Sequence, residues 1–425
     1  MHEDSPPTPS HAHPLSALAA AARTASRSLA TLPRATKDAV LLTLADRLEA
    51  AAPTILEVNA QDIAVARAAN LAPAKLKRLE LTHDSIDQMC RGVRQIAAMN
   101  DPIGAVTRDT TVPSGLRITK VRAPLGVIAM IYEARPAVTI DAFALCFKAG
   151  NACILKGGKE AAGASRVMAD IAREALIHHG CPEGAITTIP DISREDLKFL
   201  LTLDHYIDLV IPRGGTDLIT FVKEHSRIPT IQHYRGVCHI FIDASADPAA
   251  AVTICTTAKT SAPAACNAAE CLLIHESIAA RFVPQLAIAF AVANVELRGC
   301  PRTCALAPGI TPASEDDFGK EFLDLIIAVR IVANIDEALA HINRYSSNHT
   351  EAILTTDETN ARRFTNEVQS SVSLINASTR FNDGYQLGLG AEIGISTSRI
   401  HAYGPMGLEE LTTQRYIVYG DGQSR

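Results

Sequence analysis

Cys266 lies in Ser261-Ala-Pro-Ala-Ala-Cys-Asn-Ala268, a loop of small residues with a proline, set between a helical stretch and the apolar run at 271–274. A thiol there can be reached by a substrate, and its thiolate would attack an electrophilic carbonyl. The other nine cysteines, Cys90, Cys146, Cys153, Cys181, Cys238, Cys255, Cys271, Cys300 and Cys304, mostly fall inside apolar runs and read as core thiols. A buried structural thiol is the competing reading for Cys266 too. Neither Cys266 with Cys271 nor Cys300 with Cys304 has Cys-x-x-Cys spacing or a neighbouring histidine cluster, so no zinc site is expected.

Two glycine turns could hold a phosphate-bearing cofactor, because only glycine lets backbone amides approach so closely. Lys156-Gly157-Gly158-Lys159-Glu160 follows one apolar run, and Pro212-Arg213-Gly214-Gly215-Thr216 follows another. The first is not a Walker A loop, since Cys153 stands at the required glycine and Glu160 replaces the magnesium-binding Ser or Thr. No Gly-x-Gly-x-x-Gly follows a strand either. What remains is a strand-end lysine, Lys156, able to pair with a ribose hydroxyl or a phosphate; a solvated turn would look the same. The polar run Asn376-Ala-Ser-Thr-Arg-Phe-Asn-Asp383 fits a site lining or a surface loop.

These residues need strand ends to hold them. Apolar runs at 126–132, 152–156, 185–189 and 207–211 alternate with helical stretches at 137–149, 160–179, 194–203 and 215–225. Strands without polar alternation, each followed by a helix, predict a parallel sheet covered on both faces, with ligands at its carboxyl edge. A second alternating unit runs from 237 to 375, with strands at 237–243, 271–274, 329–333 and 372–376 and helices at 247–260, 276–292, 335–344 and 358–367. Helical text fills 14–100, a tail precedes it, and 106–121 reads as a β-hairpin around Pro113-Ser114-Gly115. The strand-like Tyr416-Ile-Val-Tyr419 could return to that hairpin or cross to a second subunit.

Composition excludes more than it identifies. With 40 Lys and Arg against 46 Asp and Glu the net charge is −6, which offers no counterion release to nucleic acid. Trp is absent and aromatics are 4%, so base stacking is not the business of this chain. The longest apolar stretch, 286–295, is short of the ~20 residues that cross a bilayer. Acids and prolines stand where a secretory leader would be basic then apolar, and with ten unclustered cysteines this predicts a reducing, cytoplasmic setting without membrane partners.

Taken in order, Arg122-Ala-Pro-Leu-Gly-Val-Ile, Ile131-Tyr-Glu-Ala-Arg-Pro136, Leu145-Cys-Phe-Lys-Ala-Gly-Asn-Ala-Cys-Ile-Leu-Lys-Gly-Gly-Lys-Glu-Ala161, Cys266-Asn-Ala268, Asn376-Ala-Ser-Thr-Arg-Phe381 and His401-Ala-Tyr-Gly-Pro-Met-Gly-Leu408 resemble the gamma-glutamyl phosphate reductases of the aldehyde dehydrogenase superfamily. The resemblance covers about residues 15–420. It implies an α/β, aldehyde dehydrogenase-like fold: a Rossmann-type NADP-binding domain (15–105 and 123–236), an α/β catalytic domain (237–375), and a small β oligomerisation extension (106–122 and 393–425), after a flexible tail (1–14). It implies NADPH-dependent reduction of L-glutamyl 5-phosphate through a cysteine thioester, a homo-oligomer, and glutamate kinase as a possible partner. Cys266 would be the nucleophile. Lys156, Gly157, Gly158, Arg213, Gly214, Gly215 and Glu392 would hold the cofactor, and Arg135, Asn267, Asn376 and Arg380 the substrate.

Three positions depart from the pattern the resemblance implies. Ala262 stands where an arginine is expected to face the anionic substrate, Ala134 where the wider superfamily has an oxyanion-binding asparagine, and His233 where hydrolytic relatives activate water with a glutamate. His233-Tyr234-Arg235 also replaces small residues ahead of Cys238, and Arg235 is expected to restore the charge lost at Ala262. Two other readings fit these changes: an acylating reductase of altered specificity, and a weakened homologue kept for binding.

Overall fold

The computed structural model describes residues 13–189, 191–232 and 235–424. Residues 1–12 of the tail expected over 1–14, and the His233 and Tyr234 departures, lie outside the described residues. The chain divides into two compact units, Met1–Gln232 with Leu389–Gly394 and Met406–Arg425, and His233–Gly388 with Ile395–Pro405. The C-terminal stretch read as one segment from 393 onward is therefore shared between them, and the second unit continues past 375 to Gly388.

In the first unit, β1 (Val106–Thr111) and β2 (Arg117–Pro124) form the expected hairpin, with Gly115 at φ +84° in its turn. The terminal strand Thr412–Tyr419 pairs antiparallel with β2, from Thr412 opposite Pro124 to Tyr419 opposite Arg117, so it returns to the hairpin of its own chain. The cofactor-type sheet consists of β3 (Val127–Tyr132), β4 (Ala152–Lys156), β5 (Ile186–Thr188) and β6 (Leu209–Arg213), all parallel in the order β5-β4-β3-β6. Every β3 residue is buried, which is why its sequence shows no polar alternation. Helical text before it forms five helices between Pro14 and Ala98. Pro14 already belongs to the first of these, whose cap is the His13 ring accepting from the Leu15 N–H at 3.2 Å. Arg23 on that helix meets Asp208 at 2.8 Å, and Asp208 accepts the first β3 amide, Val127, at 2.7 Å.

In the second unit, β7 (Cys238–Ile242), β8 (Ala269–His275), β9 (Glu296–Gly299), β10 (Thr311–Pro312), β11 (Ile326–Val332), β12 (Thr350–Leu354) and β13 (Val372–Ile375) form one parallel sheet, ordered β10-β9-β11-β8-β7-β12-β13. One face buries Ile240, Leu272 and Ala352 under the helices Pro248–Thr260 and Glu276–Val292. The other buries Phe241, Leu273 and Ile353 under Ile335–Tyr345 and Glu358–Glu367. Sequence reasoning misses β12, because Thr350 and Glu351 interrupt its apolar run; both are fully buried, Thr350 Oγ1 accepting from Asn382 Nδ2 and Glu351 from the Ser346 hydroxyl. Among the described residues no helix is long and apolar enough to cross a membrane.

Candidate functional site

The cofactor candidates sit where β3, β4, β5 and β6 end. A cleft is lined by Tyr132 from β3, Gly157, Gly158, Lys159 and Arg166 after β4, and Thr188 and Asp191 at the end of β5. Gly158 has no room for a side chain: an added Cβ would lie 2.2 Å from the Glu160 carboxylate. That carboxylate accepts the Ala134 N–H at 2.7 Å, so Glu160 ties the β4 turn to the β3 turn, and Ala134 is held at φ +39°. With Glu160 so engaged, the cleft offers two cations, Lys159 and Arg166, toward a ribose or its phosphate. Lys156, half-buried, ends β4 beside them.

Gly214 and Gly215 open the helix Thr216–His225, and nothing lies within 4 Å of where a Gly215 Cβ would stand. An exposed helix N-terminus with that clearance suits a pyrophosphate. The segment Leu389–Gly394 joins this unit and brings Gly394 against Arg213: a Cβ on Gly394 would lie 2.1 Å from the Arg213 guanidinium, and Gly394 has φ +142°. The fit to a nicotinamide dinucleotide thus rests on two glycine turns at strand ends, the second opening a clear helix N-terminus, and on cations at the first of them. Arg135, half-buried, lies in the turn after β3.

In the second unit, Cys266 is one of three half-buried cysteines; the other seven are buried. Of the other two, Cys300 contacts Thr303 and Cys304 the Gly299 carbonyl, both at the β9 side of the sheet. Cys266 occupies the loop between the helix ending at Thr260 and β8. Its backbone is pressed against Gly236, where a Cβ would stand 1.9 Å from the Cys266 carbonyl oxygen. The Cys238 thiol donates to that same oxygen at 3.3 Å and lies 3.7 Å from His349 Nδ1, which is 2.7 Å from Thr350 Oγ1. Asn382 donates to Thr350 Oγ1 at 2.7 Å, and the Asn382 carbonyl takes Asn267 Nδ2 at 2.8 Å. Burial pushes the Cys238 thiol well up, so it stays a donor. Sequence reasoning reaches Asn382 only as part of the polar run 376–383 and does not single out Cys238, His349 or Thr350, because it finds the strand Cys238–Ile242 but not its neighbour β12.

Arg380 and Asn267 meet: the guanidinium donates to Asn267 Oδ1, and its Nε to Ser261 Oγ at 3.3 Å. Arg380 therefore supplies a cation at the nucleophile loop beside Ala262. Arg235 lines an acid-rich pocket with Glu315, Asp316, Lys320 and Tyr345. Asn376 has its side chain engaged with the sheet. Held at φ +53°, it accepts the Thr355 N–H and donates to the Thr355 carbonyl, both at 2.8 Å, and so ties β13 to β12.

Lys259 and Glu270 form a buried ion pair at 2.6 Å, 0% and 1% exposed. Burial pushes Glu270 up to about 7 against the pull of Lys259, and lowers Lys259. Among the described residues one group has metal-ligand types, His239, Cys271 and His341, all buried with donor atoms within 4.8 Å of one another. Within the trio, Cys271 Sγ lies 3.6 Å from His341 Nε2. Burial holds His341 neutral, with its pKa lowered to about 2.

The aldehyde dehydrogenase family model matches residues 9–320. The chain is 50% identical over 411 residues to the gamma-glutamyl phosphate reductase of Xanthomonas campestris pv. campestris (strain 8004), covering 97% of this chain and 99% of that protein. It is 48% identical over 408 residues to the protein of the same name from Desulfatibacillum aliphaticivorans, covering 96% and 98%. The crystal structure of gamma-glutamyl phosphate reductase from Thermotoga maritima matches with a TM-score of 0.94 at 41% identity, over 97% of this chain and 99% of that one. An engineered glycolyl-CoA reductase with bound NADP+ shares the fold alone, at 14% identity and TM-score 0.69, covering 95% of this chain and 96% of that one.

Proposed function

The chain belongs to the gamma-glutamyl phosphate reductases of the aldehyde dehydrogenase family, and from that premise we propose how its residues divide the work. It reduces L-glutamyl 5-phosphate to L-glutamate 5-semialdehyde with release of phosphate, the second step of proline biosynthesis from glutamate, using a nicotinamide cofactor. The observation that carries the assignment is identity of 50% over 97% of the chain, with a half-buried cysteine kept in the small-residue loop.

Cys266 is the nucleophile. Its thiolate attacks the acyl carbon, the carbon–oxygen bond to phosphate breaks, and a thioester forms that accepts hydride far more readily than a carboxylate. Bound NADPH supplies that hydride. The resulting hemithioacetal oxyanion is stabilised by the Cys266 backbone N–H, and its collapse to aldehyde returns the thiolate. Arg380, next to Ser261 and Asn267, holds the anionic substrate, with Arg135 as a second cation. Lys156, Gly157, Gly158, Arg213, Gly214, Gly215 and Glu392 hold the cofactor. Preference for NADPH over NADH is supported by two lining cations, Lys159 and Arg166, against one lining carboxylate, Asp191, with Glu160 bound to Ala134.

Two wider calls follow the same reading. The protein works in the cytoplasm, receiving an unstable acyl phosphate from the kinase that makes it, glutamate kinase. It assembles with copies of itself through the terminal strand, an edge strand whose Tyr416, Val418 and Tyr419 are 59%, 53% and 52% exposed.

The test is phosphate-dependent oxidation of glutamate semialdehyde, in equilibrium with its cyclic pyrroline form, by NADP. Activity that disappears in Cys266→Ser supports the mechanism. Activity restricted to other aldehydes would mean an acylating enzyme of changed specificity, and none with any aldehyde would leave a binding homologue.

A further inference from the structure

The nucleophile loop is closed at its base by charge. Lys259 lies in the last turn of the helix Pro248–Thr260 and Glu270 at the second position of β8, so residues 261–268, with Cys266 among them, run between the two members of one ion pair. Glu270 Oε2 takes the Lys259 ammonium at 2.6 Å and its Oε1 takes the Leu323 N–H at 3.2 Å.

The sheet deforms to place this carboxylate. Along the parallel β7–β8 pair, Cys238 is opposite Ala269, but His239 is opposite Cys271, and Glu270 is the extra residue of the resulting bulge. A bulge re-aims one side chain at the cost of one ladder bond, and bulges gather beside active sites. Here it turns a carboxylate into the interior at the strand end where Cys238 meets the Cys266 carbonyl. A buried ion pair is a poor device for stability alone, because apolar side chains of similar size commonly serve as well; its advantage is that it permits one geometry.

We propose that Lys259 and Glu270 are positioning residues that clamp the two ends of the 261–268 loop and so fix the Cys266 thiol for attack. The proposal rests on the assignment of Cys266 as nucleophile. It concerns neither cofactor binding nor proton transfer by Glu270.

The decisive variant is the double substitution Lys259→Met with Glu270→Leu, which fills the space and leaves no lone buried charge. In the full-length enzyme we expect an unchanged thermal transition and a KM for NADP within about twofold of the parent. We expect kcat to fall roughly 100-fold, the scale of a reacting group displaced by about 1 Å, and Cys266 carbamidomethylation by iodoacetamide to change in rate. Glu270→Gln, which keeps shape and an acceptor for Leu323, gives the same split and serves if the double variant does not fold; Lys259→Arg should retain most activity. Parental kcat and alkylation rate in either folded variant, the double substitution or Glu270→Gln, would overturn the proposal. Cys266→Ser run alongside separates the two readings. Activity kept there removes the nucleophile, whereas activity lost there but kept in the double variant removes only the clamp.

Discussion

The Cys238 thiol donates a hydrogen bond to the backbone carbonyl of Cys266 at 3.3 Å, so one buried cysteine on β7 orients the loop that carries the half-buried one. Sulfur is a weak donor, yet the acceptor belongs to the nucleophile's own residue and has its position set by that contact. Cys238→Ala should lower kcat about fivefold, the equivalent of ~1 kcal/mol for one lost hydrogen bond, and Cys238→Ser should recover part of it. Steady-state kinetics of the two variants at saturating NADP checks this, with equal kcat values as the contrary result.

Gly236 is a stricter case. A Cβ there would stand 1.9 Å from the Cys266 carbonyl oxygen, and the obstructing atom is backbone, which cannot swing aside as a side chain tip can. Gly236→Ala should therefore displace the loop, lowering kcat more than about 100-fold while NADP still binds with parental affinity. Fluorescence titration with NADPH beside the turnover assay separates these two effects.

Cofactor choice is expected to follow Lys159 and Arg166. Both are exposed at the rim of the cleft, so each contributes a screened charge. Lys159→Ala should raise the KM for NADPH roughly tenfold and leave that for NADH nearly unchanged, with Arg166→Ala acting in the same direction. The difference should shrink as ionic strength rises. An equal loss with both cofactors would place neither side chain on the 2′-phosphate.

Acid stability should report on His341. Burial lowers its pKa to about 2, far under the ordinary value of 6.5, so the folded state keeps it neutral where the unfolded state takes up a proton. The stability this contributes is present above pH 6.5 and is lost as pH falls, at about 1.4 kcal/mol per unit. In urea unfolding between pH 6.5 and 4.5, a folded His341→Phe variant should show a slope shallower by about that amount.

Much of this protein was legible because periodicity is a local property. Strands at 152–156 and helices at 276–292 and 358–367 could be bounded from the chain alone, since burial on both faces removes polar alternation and a helix face repeats over a few residues. For the same reason Lys156-Gly157-Gly158 and Arg213-Gly214-Gly215 could be set at strand ends, and Cys266 in a small-residue loop. The motifs in order were enough to name the family. Residues four apart in one polar run were not separable in this way. Asn376 turns back onto Thr355 while Arg380 reaches Ser261 and Asn267, and only the path of β12 and β13 decides which does which.

The same limit hid the support beneath the nucleophile. Cys238, His349, Thr350 and Asn382 are brought together because parallel strands placed side by side come from distant parts of the chain, through crossovers that sequence spacing does not encode. Lys259 and Glu270 are close in sequence, but their meeting depends on one bulge in β8, a shift of register whose cause is the fit of neighbouring strands. The chain by itself determined the fold class and the family, and it pointed to the Cys266 thiol as the proposed reacting atom. Tertiary structure decided which buried polar groups hold that atom, because a hydrogen bond is specified in space and the sequence orders residues along a line.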